Sequence, residues 1–87
     1  MEIRRKATAG TMQSSDLTVA VEPAETLTIA IESTVKRQYE HLIRQRVEEV
    51  LARFQVRTGA IRITDRGALD YAIEARVEAA LRRAAEG

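Results

Sequence analysis

The residues equipped for chemistry lie close together near the start of the chain. Ser14 and Ser15 stand side by side in Gln13-Ser14-Ser15-Asp16, with a carboxylate directly after them. A serine hydroxyl becomes a nucleophile only when a base can take its proton. His41 is the only histidine. On a helical wheel of about 100° per residue it falls roughly 170° from the centre of its segment's apolar stripe. It therefore reads as a solvated side chain and not as the base of a triad. The carboxylates fall on expected solvent faces or at turns, so no pair converges for acid–base work. Gly10, Gly59, Gly67 and Gly87 are isolated and form no phosphate-cradling loop. His41 alone does not make a metal site. Two readings of the serines remain. They build a turn, where Ser and Asp side chains bond nearby amides, or they sit at an exposed tip to which a group is attached.

The elements that must position them follow from periodicity. Ala7–Met12 is short, with Thr8 and Thr11 favouring extended backbone. Leu17, Val19 and Val21 alternate with Thr18, Ala20 and Glu22, a half-buried strand. If these two segments pair, Gln13–Asp16 is the loop between them. Leu27, Ile29 and Ile31 repeat the alternation. The intervening Pro23-Ala24-Glu25-Thr26 reads as the connection of an antiparallel hairpin. Ser33 and Thr34 offer N-caps to a first helix. Its stripe is Val35, Tyr39, Leu42, Ile43, Val47, Val50, Leu51 and Phe54. Glu40 and Arg44, and Glu49 and Arg53, are spaced for i,i+4 pairs. Ile61 and Ile63 mark another strand, and Thr64-Asp65-Arg66-Gly67 reads as a turn. Leu69, Ile73, Val77, Ala80, Leu81 and Ala84 share one face of a second helix that stops by Gly87. The expected fold is α+β: a small, mainly antiparallel sheet, in the order β-β-β-α-β-α, with two helices on one face.

Eighty-seven residues suit one domain, 1–87, around one core. Fourteen basic and 13 acidic residues give a net charge of +1, and only Arg4-Arg5-Lys6 cluster. Nucleic-acid binding by counterion release needs a denser basic surface. No apolar run approaches about 18 residues, the length that spans a membrane. The start of the chain lacks the apolar core of a secretory signal. With no cysteine for disulfides, a cytoplasmic address is expected. If the chain takes part in thioester chemistry, the thiol must come from a cofactor.

The run A-G-T-M-Q-S-S-D-L-T-V-A-V-E-P resembles the N-terminal signature of the citrate lyase acyl carrier protein family, the gamma subunit of that complex. The resemblance continues through S-T-V-K-R-Q-Y-E-H-L-I-R, V-L-A-R-F-Q-V and D-R-G-A-L-D-Y-A-I-E-A-R-V-E-A-A-L-R-R-A, nearly the whole chain. It implies a non-catalytic carrier whose serine holds phosphoribosyl-dephospho-coenzyme A through a phosphodiester. The thiol of that group would carry acetyl, exchanged for citryl by an alpha subunit. A beta subunit would then cleave citryl thioester to oxaloacetate. A prosthetic-group transferase would load the arm. By match to the motif, Ser14 is the attachment residue.

Two positions depart from the family pattern. Ser15 stands where glycine is common, which removes a residue free to take positive φ. Gln13 stands where an acid is usual. The resemblance leaves Asp16 as an orienter of the hydroxyl, a contact for the transferase or a turn former. The carrier of malonate decarboxylase is the alternative within this kind of system. A cofactor-free interaction module is the alternative outside it.

Overall fold

A computed structural model describes residues 1–33 and 39–86. It contains β1 (Ala7–Gly10), β2 (Leu17–Glu22), β3 (Leu27–Ser33), α1 (Glu40–Arg53), β4 (Gly59–Asp65) and α2 (Asp70–Ala85). This is the expected α+β order. Thr34, Val35 and Gly87, named above as cap, stripe and stop, lie outside the described residues.

The sheet order is β1-β2-β4-β3. β1 pairs antiparallel with β2, and β2 antiparallel with β4, while β3 runs parallel to β4. The expected β2–β3 hairpin is therefore absent: β4 lies between the two strands. Alternation assigns a strand's faces but not its neighbours. The Pro23–Thr26 link must cross two strand spacings, about 9.6 Å, within the roughly 13 Å that four extended residues reach. The parallel β3–β4 pair needs a crossover, and α1 provides it.

One sheet face is apolar in register. Leu17 sits opposite Asp65, Val19 opposite Ile63 and Val21 opposite Ile61, and all six are buried. Both helices cover this face, α2 over β1 and β2, α1 over β3, with the helices touching each other. α1 buries Ile43, Val47, Val50 and Leu51; α2 buries Ile73, Val77, Ala80, Leu81 and Ala84. Branched aliphatic side chains and alanines fill the core. Each large one contributes about 1.5–3 kcal/mol by leaving water. Phe54 is half-buried between the guanidiniums of Arg53 and Arg82, 5.5 and 5.4 Å from its ring centre.

Helix ends show where local signals competed. Ser33 is the last residue of β3, and its Oγ donates to Asp65 Oδ2 at 3.0 Å; the segment it was expected to cap lies outside the described residues. Asp65 is the last residue of β4, only 1 % exposed, so the turn begins at Arg66, two residues later than expected. α1 starts at Glu40 after Tyr39. Tyr39, Leu42 and Leu69 are exposed, so the apolar stripes extend past the buried surface. Glu40 and Arg44 do pair, at 4.0 Å, but Glu49 is taken by Arg46 at 2.9 Å. α1 ends in a Schellman arrangement. The amide of Gln55 donates to the Ala52 carbonyl and that of Val56 to Leu51, with Gln55 at φ 56°. The basic cluster at the start of the chain closes α2: the Arg4 and Arg5 amides donate to the Ala84 carbonyl, and Arg5 Nε to that of Arg83. Among the described residues no helix is long and apolar enough to cross a membrane.

Candidate functional site

The β1–β2 connection is built around a four-residue turn. The Asp16 amide donates to the Gln13 carbonyl at 3.3 Å, which puts Ser14 and Ser15 at the two central corners. Ser15 has φ 64°. Positive φ at the third turn position is the demand that usually selects glycine. The sheet sets the turn's entry at Gly10, paired with Thr18 and at φ 97°. A Cβ there would lie 1.9 Å from the Leu17 carbonyl oxygen, so glycine alone fits. Beyond it the Thr11 amide donates to the same oxygen at 3.1 Å.

Three groups hold the turn rigid. Asp16 Oδ2 accepts from the Thr11 hydroxyl at 2.6 Å, and Oδ1 from the Leu17 amide at 2.8 Å. Arg76 of α2 forks onto both oxygens, Nε to Oδ1 at 3.1 Å and Nη2 to Oδ2 at 2.9 Å. These hydrogen bonds, Arg76's first, hold the Asp16 carboxyl well below the usual carboxylate range. The third group is the backbone of Arg66. Its carbonyl accepts from the Ser15 amide and its amide donates to the Asp16 carbonyl, both at 2.8 Å. The β2–β4 ladder is thereby extended past Leu17 and Asp65 into the turn.

Ser14 and Ser15 are both exposed. Among the described residues neither hydroxyl is hydrogen-bonded to protein. Asp16 therefore acts as a turn former and anchor: its oxygens are committed to Thr11, Leu17 and Arg76, and none bonds the Ser14 hydroxyl. His41 is exposed on α1, and no hydrogen bond or ion pair joins it to either serine. No group of three or more metal-ligating side chains occurs among the described residues. The arrangement offers a rigid, solvent-facing hydroxyl with no base bonded to it among the described residues, suited to carrying an attached group.

Sequence reasoning named Ser14, Ser15 and Asp16 but missed Thr11, Arg66 and Arg76. Arg76 did leave a trace. Its neighbours three and four positions away on α2 are Ala72, Ile73, Ala79 and Ala80, none acidic. A helical arginine without an i±3 or i±4 carboxylate has its charge free for a partner elsewhere.

Comparison with known proteins places the chain in a family. The profile of the acyl carrier family described as malonate decarboxylase delta subunit (MdcD) matches residues 4–84. A citrate lyase acyl carrier protein of Treponema denticola is 45% identical over 86 residues, 99% of each chain. One from Pectobacterium carotovorum is 48% identical over 88 residues, covering 100% of this chain and 92% of the relative. The fold matches a chain in the crystal structure of a Pseudomonas malonate decarboxylase hetero-tetramer in complex with malonate. The TM-score is 0.77 at 27% identity, over 93% of this chain and 84% of that one. The chain belongs to the citrate lyase acyl carrier protein family, and its role is that of an acyl carrier.

Proposed function

We propose that the chain is the acyl carrier subunit of citrate lyase and that Ser14 is its attachment residue. The observation that carries this reading is the turn itself: an exposed hydroxyl at a corner held by Asp16, Arg76 and Arg66. The donor set fits a phosphodiester-linked group, since the hydroxyl is free of protein hydrogen bonds among the described residues and the chain has no cysteine of its own. Phosphoribosyl-dephospho-coenzyme A, when bound, supplies the thiol that carries acyl groups as thioesters. The chain's own part is to present the arm from a stiff corner. Tethering keeps the acyl group at high effective concentration for two separate active sites. Those sites belong to the alpha and beta subunits, and a prosthetic-group transferase loads the carrier in the cytoplasm.

Service to malonate decarboxylase is the second reading, favoured by the name of the matching profile and by the Pseudomonas structure. Identity of 45–48% to citrate lyase carriers supports the first. Reconstitution with each set of partner subunits separates them. Citrate-dependent oxaloacetate formation with the citrate lyase subunits is expected. Turnover with malonate and decarboxylase subunits only would reassign the chain.

A further inference from the structure

The attachment reading leaves one charge beside the turn unassigned. Arg66 is bound to the turn by its backbone alone, through the Ser15 amide and the Asp16 carbonyl. Among the described residues its guanidinium makes no hydrogen bond or ion pair. The other charges nearby are committed. Asp16 and Arg76 cancel each other, and Asp65 accepts hydrogen bonds from Ser33 and the Ala68 amide. Asp70 pairs with Arg46 at 3.0 Å. Gln13 and the serines are neutral. Among the described residues, an uncompensated positive charge thus belongs to the residue whose backbone is bonded to Ser15 and Asp16 of the corner.

We infer that Arg66 is the phosphate-binding residue of the turn, its guanidinium pairing with the phosphodiester oxygens of a group esterified to Ser14. The inference rests on the attachment reading of Ser14. The chemistry matches in charge and shape: a phosphodiester carries one negative charge, and a planar guanidinium donates two parallel hydrogen bonds to its oxygens. Neutralisation of Asp16 by Arg76 removes the repulsion that a carboxylate two residues away would otherwise exert on that phosphate. Arg66 in turn fixes the direction in which the arm leaves the corner.

The test compares thermal midpoints of the chain before and after loading by the transferase, with the adduct on Ser14 established by fragment mass. Wild type, Arg66→Gln, Arg66→Lys and Arg62→Gln are measured at low salt. Arg62 is a second arginine of this strand region whose guanidinium has no partner among the described residues, and it serves as control. Loading is expected to be less favourable to the midpoint of Arg66→Gln than to wild type by about 2–5 °C. Arg62→Gln should match wild type, Arg66→Lys should fall between, and added salt should narrow the gap. The Arg66 side-chain Nε–H resonance should also shift on loading. An equal midpoint change in wild type and Arg66→Gln, or an unmoved Arg66 resonance, overturns the role of Arg66 while the adduct stands. Absence of any adduct on Ser14 defeats the attachment reading itself, and this inference with it.

Discussion

Arg76 and Asp16 are 60 positions apart, yet the Arg76 guanidinium holds both carboxylate oxygens of Asp16, at 3.1 and 2.9 Å. This fork joins the outermost turn of the sheet to the helix that covers the core. The Asp16 side chain is only 14% exposed, whereas Arg76 is 40% exposed. The pair therefore serves position more than stability. Arg76→Gln should leave the fold intact but free the turn. Amide exchange at Ser15 and Asp16 should quicken, and loading of Ser14 should slow by roughly ten- to a hundredfold. Arg76→Lys should recover only part of the rate, because lysine lacks the fork. Unchanged exchange and loading in Arg76→Gln would remove Arg76 from the account.

The same pair sets a pH dependence. The folded-state pKa of Asp16 is depressed, so its contribution is fully present above the unfolded value, about pH 4. It declines as pH falls through the folded value, well below the usual carboxylate range. The urea midpoints of wild type and Asp16→Asn should therefore differ most at neutral pH and converge below about pH 4. A gap that widens on acidification would contradict the assignment.

Ser15 occupies a backbone conformation that suits glycine. Left-handed geometry costs a side-chain-bearing residue about 1–2 kcal/mol, and glycine's extra freedom when unfolded returns about 0.5–1 of it. Ser15→Gly should stabilise the chain by up to about 1 kcal/mol in urea titration and leave loading intact. Destabilisation would mean that the Ser15 hydroxyl carries a structural bond.

Gly10 is the opposite case. Alanine there meets the Leu17 carbonyl oxygen and an unfavourable φ together. Gly10→Ala should cost at least about 2 kcal/mol and disturb the β1–β2 pairing. Loss of the cross-strand amide signals between Ala9 and Val19 would report it. A stable variant with that register preserved would show the entry to the turn to be adaptable.

Much of this was legible in sequence because it is periodic. Alternation in Leu17–Glu22 and Ile61–Ile63 marked core-facing strands, and the three-and-four spacing of Ile43, Val47, Val50 and Leu51 marked α1. What stayed hidden depends on distant partners. Nothing local told β2 to pair with β4 instead of β3. Ser33 was read only for its local capping signal, and its bond to Asp65 spans 32 residues. Ser14 stood out through the family motif, while the restraint on its turn comes from α2 and from Arg66 just past β4, and carries only a faint local mark.

The central claim is that Ser14 alone carries the arm, with Ser15 a bystander at a glycine's corner. Its most direct test is the intact and fragment mass of the chain after co-expression with the prosthetic-group transferase, in wild type, Ser14→Ala and Ser15→Ala. The account predicts one large adduct on wild type and on Ser15→Ala, located at Ser14, and none on Ser14→Ala. An adduct that survives Ser14→Ala, or a wild-type chain that gains no mass, would contradict it.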